Sequence, residues 1–363
     1  MKMCGVVVGP QKYKHMISAL GGGKTYGQVR LAIWRAAIRG RFWERRKIME
    51  NKMEYVRKHP YLVCLDSDGC VIDGMTIKHL QCFGPCAVAE WGLEAHKEEL
   101  LRYWNEVNLY RMSRGINRFK GLALLLQYAK EKGYIDDGLE CYREWVDSSP
   151  ELSEAALERE IARVSVEAAG REFARMDAGA SGQEPARTDA RTLGQEPART
   201  GDKVLKKALS WSRAVNRAVA AIPGEKKPTF EGVRKALEKA HAHADVAVIS
   251  AANAAAVEEE WRCNGLLEYV DVCMTQEYGS KAECIGKLLQ CGYEPGQVVM
   301  LGDAPGDHAA ADKNGVLFFP VLAGKETKSW EEFCGRVFDL FVQGKYDGEM
   351  QKGYLEEFEG NLS

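Results

Sequence analysis

Between residues 229 and 320, short apolar runs alternate with helical segments four times. Helix 229–242 leads to a run at 245–249 (DVAVI), and helix 253–264 to one at 269–273 (YVDVC). Helix 280–291 leads to 297–301 (QVVML), and helix 307–313 to 316–319 (VLFF). Runs of strand length alternating with helices predict an α/β fold, a parallel sheet with helices on both faces. A further run at 61–65 (YLVCL) follows His59-Pro60, where the residue before proline is pushed out of the helical region. Sheets of this kind collect their functional groups beyond the carboxyl ends of the strands. The polar residues at those ends therefore carry the functional argument.

The first run ends in Asp66-Ser67-Asp68-Gly69 and the second in Ser250. The fourth ends in Gly302-Asp303, with Asp307 four residues on, and Lys281 opens the helix before it. Crowded carboxylates raise one another's pKa unless positive charge intervenes. A lysine and a divalent cation meet that need, and hard oxygen ligands favour Mg²⁺. A phosphoryl group completes the set, because its oxygens need a metal, a lysine, a hydroxyl and backbone N–H donors. In an extended segment residues i and i+2 point the same way. One carboxylate of Asp66-Ser67-Asp68 can then attack phosphorus while the other protonates the leaving oxygen and later activates water. Gly69 lets the backbone turn and approach the phosphate.

This ordered set resembles the haloacid dehalogenase superfamily, through LDSDGCVID (65–73), VISAAN (248–253), the SKAE lysine (280–283) and MLGDAPGDHAAADKNG (300–315). The resemblance implies a Rossmann-like parallel sheet core with a mainly α-helical cap inserted after the first motif. By position it makes Asp66 the nucleophile and a Mg²⁺ ligand. Asp68 becomes the acid–base, its main-chain carbonyl on the metal. Ser250 would hold a phosphate oxygen, and Lys281 would bridge nucleophile and phosphate. Asp303 would ligate Mg²⁺, with Asp307 in support. Gly69 and Ala251 are expected at the substrate. Cys70 stands where the family usually has Thr or Val. Lys287 lies on the same helix as Lys281, but Lys281 is nearer the site. A halide leaves unprotonated whereas an alkoxide needs a proton, so Asp68 points to phosphoryl transfer within the superfamily.

The catalytic core is expected at 59–75 and 229–345, and the cap at 76–228. Cap helices are predicted at 76–91 (broken at Gly84-Pro85), 94–109, 117–131, 151–170 and 203–221. Residues 178–202 carry the heptad Gly-Gln-Glu-Pro-Ala-Arg-Thr twice, at 182–188 and 194–200. Too polar to offset its ordering entropy, this stretch is expected as a disordered loop. Arg111, Arg114 and Arg118 cluster around a break at Gly115. Arginines on a loop suit a phosphate or carboxylate, and Arg114 and Arg118 are the expected substrate contacts. A solvated, ion-paired helix junction is the other reading. Lys78 and His79 follow the first hinge and could face the site, with ordinary surface exposure the preferred reading. Ser329-x-x-Glu332 reads as a capping box opening a C-terminal helix, and 346–363 as a tail.

Residues 1–58 read as a basic helical segment, with helix over 28–58. Residues 1–60 carry 14 Lys/Arg against 3 Glu, against a whole-chain net charge of −2. That average gives no reason to expect nucleic acid as a partner. The basic stretch is expected to pack on its own domain, while binding to RNA or an anionic surface is the competing reading. Gly21-Gly22-Gly23-Lys24-Thr25 lacks the first glycine and the preceding strand of a phosphate-binding loop. Eleven cysteines without paired spacing predict reduced thiols in a cytoplasmic protein rather than disulfides or zinc. No apolar run approaches the roughly 18–20 residues of a membrane span, and the N-terminus lacks the pattern of a secretory signal. The expected function is a Mg²⁺-dependent phosphatase acting on a small phosphorylated metabolite. A phosphomutase on the same scaffold, or a non-catalytic binding protein using the basic segment, are the alternatives. Substrate and oligomeric state are not encoded in any of these patterns.

Overall fold

The run at 61–65 forms strand β1, Leu62–Leu65, buried throughout in the computed structural model. The structure describes residues 55–136, 138–180 and 197–363. β1 is the centre of a five-stranded parallel sheet with β2 (Asp245–Ile249), β3 (Val272–Met274), β4 (Val298–Gly302) and β5 (Leu317–Pro320), in the order β3-β2-β1-β4-β5. This is a Rossmann-like sheet, and the chain reverses its direction of winding at β1. Continuous apolar strands are what a sheet covered on both faces requires. Val63, Leu65, Val246, Val248, Val299 and Leu301 share one core with Leu237, Trp261 and Trp330 from the helices.

The register fixes the site. Leu65 pairs with Val248 on one side and Leu301 on the other, so Asp66 emerges beside Ile249 and Gly302. The strands lie within about a residue of expectation except β3. There the predicted 269–273 begins instead as a 3₁₀ turn, Leu267–Tyr269, and pairing starts at Val272 opposite Ala247.

A second core belongs to the helices between β1 and β2. Trp104, Phe119, Tyr142, Trp145 and Trp211 fill it together with leucines from Leu100 to Leu209. Two of its aromatic polar handles reach backbone carbonyls: Trp211 Nε1 donates to Phe83 O at 3.1 Å and Tyr142 Oη to Phe119 O at 2.8 Å. Helix Glu140–Ser148, absent from the sequence prediction, delivers Tyr142, Trp145 and Val146 to this core. The predicted break at Gly84-Pro85 does not occur. The path stays helical from Met75 to Trp91 because a π turn at His79–Phe83 precedes Pro85, which opens the next helical stretch, Gly84–Trp91. A wider turn removes the clash between a proline ring and the carbonyl four residues back.

The expected disordered loop at 178–202 is helical at both of its described ends. Helix Glu154–Ala180 and helix Pro197–Ala220 run into it from either side, and 181–196 lie outside the described residues. So do residues 1–54, with Gly21–Thr25 and most of the expected helix 28–58. Its end, residues 57–58, is not helical. Lys58 and His59 instead donate their backbone N–H groups to Asp245 Oδ2 at 2.9 and 3.0 Å.

Two expectations fail at the C-terminus. Ser329 is not a cap: it lies inside helix Glu326–Glu332, where its Oγ accepts from Leu322 N at 3.0 Å. Residues 346–363 are not a tail but carry helix Gly348–Asn361 against β5. Gln351 Oε1 accepts from Phe318 N at 2.7 Å, and Tyr346 Oη donates to Phe318 O at 2.6 Å.

Candidate active site

The loop after β1 is held tightly. Asp66 N donates to Leu301 O at 3.0 Å, which continues the sheet one residue past the strand. Ser67 O accepts from both Val71 N and Ile72 N. Two buried indoles pin the turn: Trp261 Nε1 donates to Ser67 Oγ and Trp330 Nε1 to Cys70 O, each at 2.9 Å. Gly69 sits at φ +94°, and a Cβ there would stand 2.5 Å from Asp303 Oδ2 and 2.9 Å from Arg114 Nη2. Gly69→Ala should therefore cost about 1–3 kcal/mol of stability and most of any turnover. Thermal denaturation checks the first part, and a wild-type melting curve would contradict it.

Asp66, Asp303 and Asp307 form one buried cluster, each offering an oxygen within 4.8 Å of the others. Lys281 lies between two of them, 2.8 Å from Asp66 Oδ1 and bonded to Asp307 Oδ1. It is the first residue of helix Lys281–Leu289, whose start is fixed by a capping box between Ser280 and Glu283. Lys287 points elsewhere, donating to Tyr278 O at 2.6 Å. Asp307 Oδ2 accepts from Ala304 N at 3.1 Å, capping helix Pro305–Lys313 from inside its first turn. Ser250 is buried at the end of β2, where its Oγ accepts from Ala252 N at 3.2 Å; Ala251 beside it is exposed.

Arg114 joins the cluster from the helical layer. Only 4% exposed, it places Nε and Nη2 at 2.7 Å from Asp303 Oδ2 and donates Nη1 to Leu109 O at 2.7 Å. The loop carrying it comes close enough that a Cβ on Gly115, at φ +71°, would stand 2.7 Å from Ala304 Cβ. Expected at the substrate, Arg114 instead lies on a site carboxylate. Arg118, paired with it in expectation, is turned into the helical layer. It donates to Asn216 Oδ1 at 2.6 Å and lies over the Phe83 ring.

Asp303 Oδ1 is buried with no hydrogen-bond partner. A bare buried carboxylate oxygen among two other carboxylates fits a hard cation. The charges agree: Asp66, Asp303 and Asp307 against Lys281 and Arg114 leave −1. Burial, then the neighbouring carboxylates, holds Asp303 well above the usual carboxylate range against the pull of Arg114. Asp307 is raised by burial too, with Lys281 opposing.

Asp68 is in different company. Its Oδ2 lies 3.0 Å from Lys78 Nζ, outside the cluster of three. Burial raises its pKa while Lys78 opposes. Lys78, expected at the surface, is therefore buried against the motif. His79 is taken up by the helical core, accepting from Trp104 Nε1 at 3.0 Å and stacked on Phe83. Burial and the nearby Arg114 push its imidazole down to about 3, so it stays neutral as that hydrogen bond requires.

Sequence reasoning missed Glu260, which is 5% exposed and bonded to both Lys78 and Lys227. A signal was present. Val257, Glu260 and Trp261 share the buried stripe of helix Ala254–Cys263, so a glutamate stood at an apolar position.

Residues 186–321 match the family model of haloacid dehalogenase-like hydrolases. The matched stretch holds Ser250, Lys281, Asp303 and Asp307, and the sheet register brings Asp66 to them from outside it. No curated protein matches the chain in sequence. Among solved structures, a haloacid dehalogenase-like family hydrolase from Xanthomonas campestris aligns over 78% of this chain and 93% of its own, at 14% identity and a TM-score of 0.38. A haloacid dehalogenase-like family hydrolase from Streptococcus pneumoniae aligns over 75% and 90%, at 12% identity and a TM-score of 0.35. One from Deinococcus radiodurans, with phosphate and sodium bound, aligns over 73% and 82%, at 14% identity and a TM-score of 0.36.

Proposed function

We propose that this chain, whose residues 186–321 match the family model of haloacid dehalogenase-like hydrolases, is a member of that superfamily and a Mg²⁺-dependent phosphohydrolase acting on a small phosphorylated metabolite. One observation carries the reading: two carboxylates two residues apart face different partners. Asp66 lies 2.8 Å from Lys281 in the cluster with Asp303 and Asp307, whereas Asp68 lies 3.0 Å from Lys78. Two carboxyls in separate environments can serve as nucleophile and acid.

Asp66 attacks phosphorus while the bond to the leaving oxygen breaks, and Asp68 gives that oxygen its proton. The aspartyl-phosphate is then hydrolysed by a water whose proton returns to Asp68, which releases inorganic phosphate and restores Asp66. Lys281 holds Asp66 in place and spreads charge from the phosphoryl oxygens. Ser250 hydroxyl and the backbone N–H group at Ala251 are the remaining donors, because Gly69 N is already given to Ile72 O at 2.9 Å. Asp66, Asp303 and the Asp68 carbonyl would hold Mg²⁺, with Asp307 in support. The bound ion would supply a Lewis acid that neutralises the phosphoryl oxygens. The helical insertion acts as the cap, and Arg114 is its contribution to the site. A cytoplasmic setting agrees with the described cysteines, all of which are free. Among the described residues no helix is long and apolar enough to cross a membrane.

The test is release of inorganic phosphate from a panel of phosphomonoesters with Mg²⁺, expected to stop on chelation. Transfer of the phosphoryl group to a sugar hydroxyl with little free phosphate would identify a mutase instead. Inertness toward every ester would overturn the reading.

A further inference from the structure

We propose that Lys78 and Glu260 are positioning residues for Asp68, with Lys227 completing the set. The inference rests on the phosphohydrolase reading for the role of Asp68, and its geometry involves none of the three clustered aspartates. Lys78 closes the short helix Met75–Lys78 on the chain's way out of the sheet. Its Nζ lies 3.0 Å from Asp68 Oδ2 and 2.9 Å from Glu260 Oε1. Lys227 stands on the way back, one residue before Pro228, with Nζ 3.0 Å from the same Glu260 oxygen. Lys78, Lys227 and Glu260 are 8%, 8% and 5% exposed.

Stability alone gives a weak reason for such an arrangement. Each buried ion forfeits several kcal/mol of hydration, and a well-packed apolar set of the same volume is often as stable. A positional task gives a stronger one. Glu260 is followed by Trp261, which donates to Ser67 Oγ at 2.9 Å. Adjacent residues of one helix thus hold adjacent residues of the catalytic loop, Ser67 directly and Asp68 through Lys78. The hold is one-sided. Asp68 Oδ2 is engaged, while Oδ1 is buried with no hydrogen-bond partner and stays free for proton exchange. The acid–base must serve a leaving oxygen in one half-reaction and a water in the next. A displacement of about 1 Å is enough to cost on the order of a hundredfold in rate. Because Lys78 and Lys227 lie on opposite crossings between sheet and helical layer, both crossings are tied to that placement.

Leaving-group dependence tests this. A simple alkyl phosphate needs its alkoxide protonated, whereas 4-nitrophenyl phosphate releases a stable anion. The quantity to compare is kcat/KM, which reports phosphoryl transfer to Asp66 and not the later hydrolysis common to both esters. Glu260→Gln and Lys78→Met should lose about 10–100-fold more kcat/KM on the alkyl ester than on the aryl ester. Lys78→Arg should recover most of the alkyl activity. Equal losses on both esters, or none, would overturn the proposal while leaving the phosphohydrolase reading intact. A wild-type protein that turns over no ester of the phosphomonoester panel would overturn both. Should Glu260→Gln fail to fold by circular dichroism, the Lys78→Met and Lys78→Arg pair decides the question alone.

Discussion

Asp66→Asn removes turnover, by about 10⁴-fold or more, the scale seen when a catalytic nucleophile is deleted. The substitution keeps the shape of the side chain and the backbone bond from Asp66 N to Leu301 O. What it removes is the negative oxygen 2.8 Å from Lys281. No other carboxylate stands in its place: Asp303 and Asp307 lie against Arg114 and Lys281, and Asp68 against Lys78. The same variant should form no acid-stable, hydroxylamine-sensitive phosphoenzyme when the wild type is quenched during turnover. Retention of either activity or phosphoenzyme in Asp66→Asn would refute the covalent route.

Raising the pH destabilises the metal-free protein, and Mg²⁺ reverses the loss. Asp303 and Asp307 are held above the ordinary carboxylate range, by burial first and by neighbouring carboxylates next. The folded chain therefore keeps protons that the unfolded chain releases, and unfolding free energy falls as pH climbs from about 4. Each pH unit over which one such carboxyl is protonated only in the folded state is worth about 1.4 kcal/mol. A divalent cation replaces those protons. At a hundredfold excess over its dissociation constant it adds about 2.7 kcal/mol. Thermal melts in chelator between about pH 5 and about pH 8 should show a falling midpoint, and Mg²⁺ should raise it most at the alkaline end. A midpoint that climbs with pH in chelator and ignores Mg²⁺ would count against a cation at this cluster.

Local patterns reached a long way into this molecule. Alternation of apolar runs with helices located β2 to the residue and put Asp66, Ser250 and Asp303 at neighbouring strand ends. Those features depend on the strand period and on burial, and both are written locally. The failures lie where a distant partner decides. The run 269–273 has the apolar content of a strand, but Tyr269 closes a 3₁₀ turn and pairing begins only where Val272 meets Ala247. Gly84-Pro85 looks like a break until a π turn upstream absorbs it. Lys78 read as a surface residue, since no nearby residue announces that Glu260 will meet it across 182 positions of chain. Arg114 was picked out for its charge. Its attachment to Asp303 could not be foreseen, because the loop near Gly115 must first fold against Ala304.

The helix Gly348–Asn361 has a bearing on solubility. β5 is an outer strand, and an outer strand offers its free backbone groups to any passing chain. Gln351 and Tyr346 occupy both groups of Phe318, much as a sixth strand would. The sheet therefore stops at five strands because side chains terminate it. A chain shortened before Tyr346 would retain every catalytic candidate and expose an adhesive border.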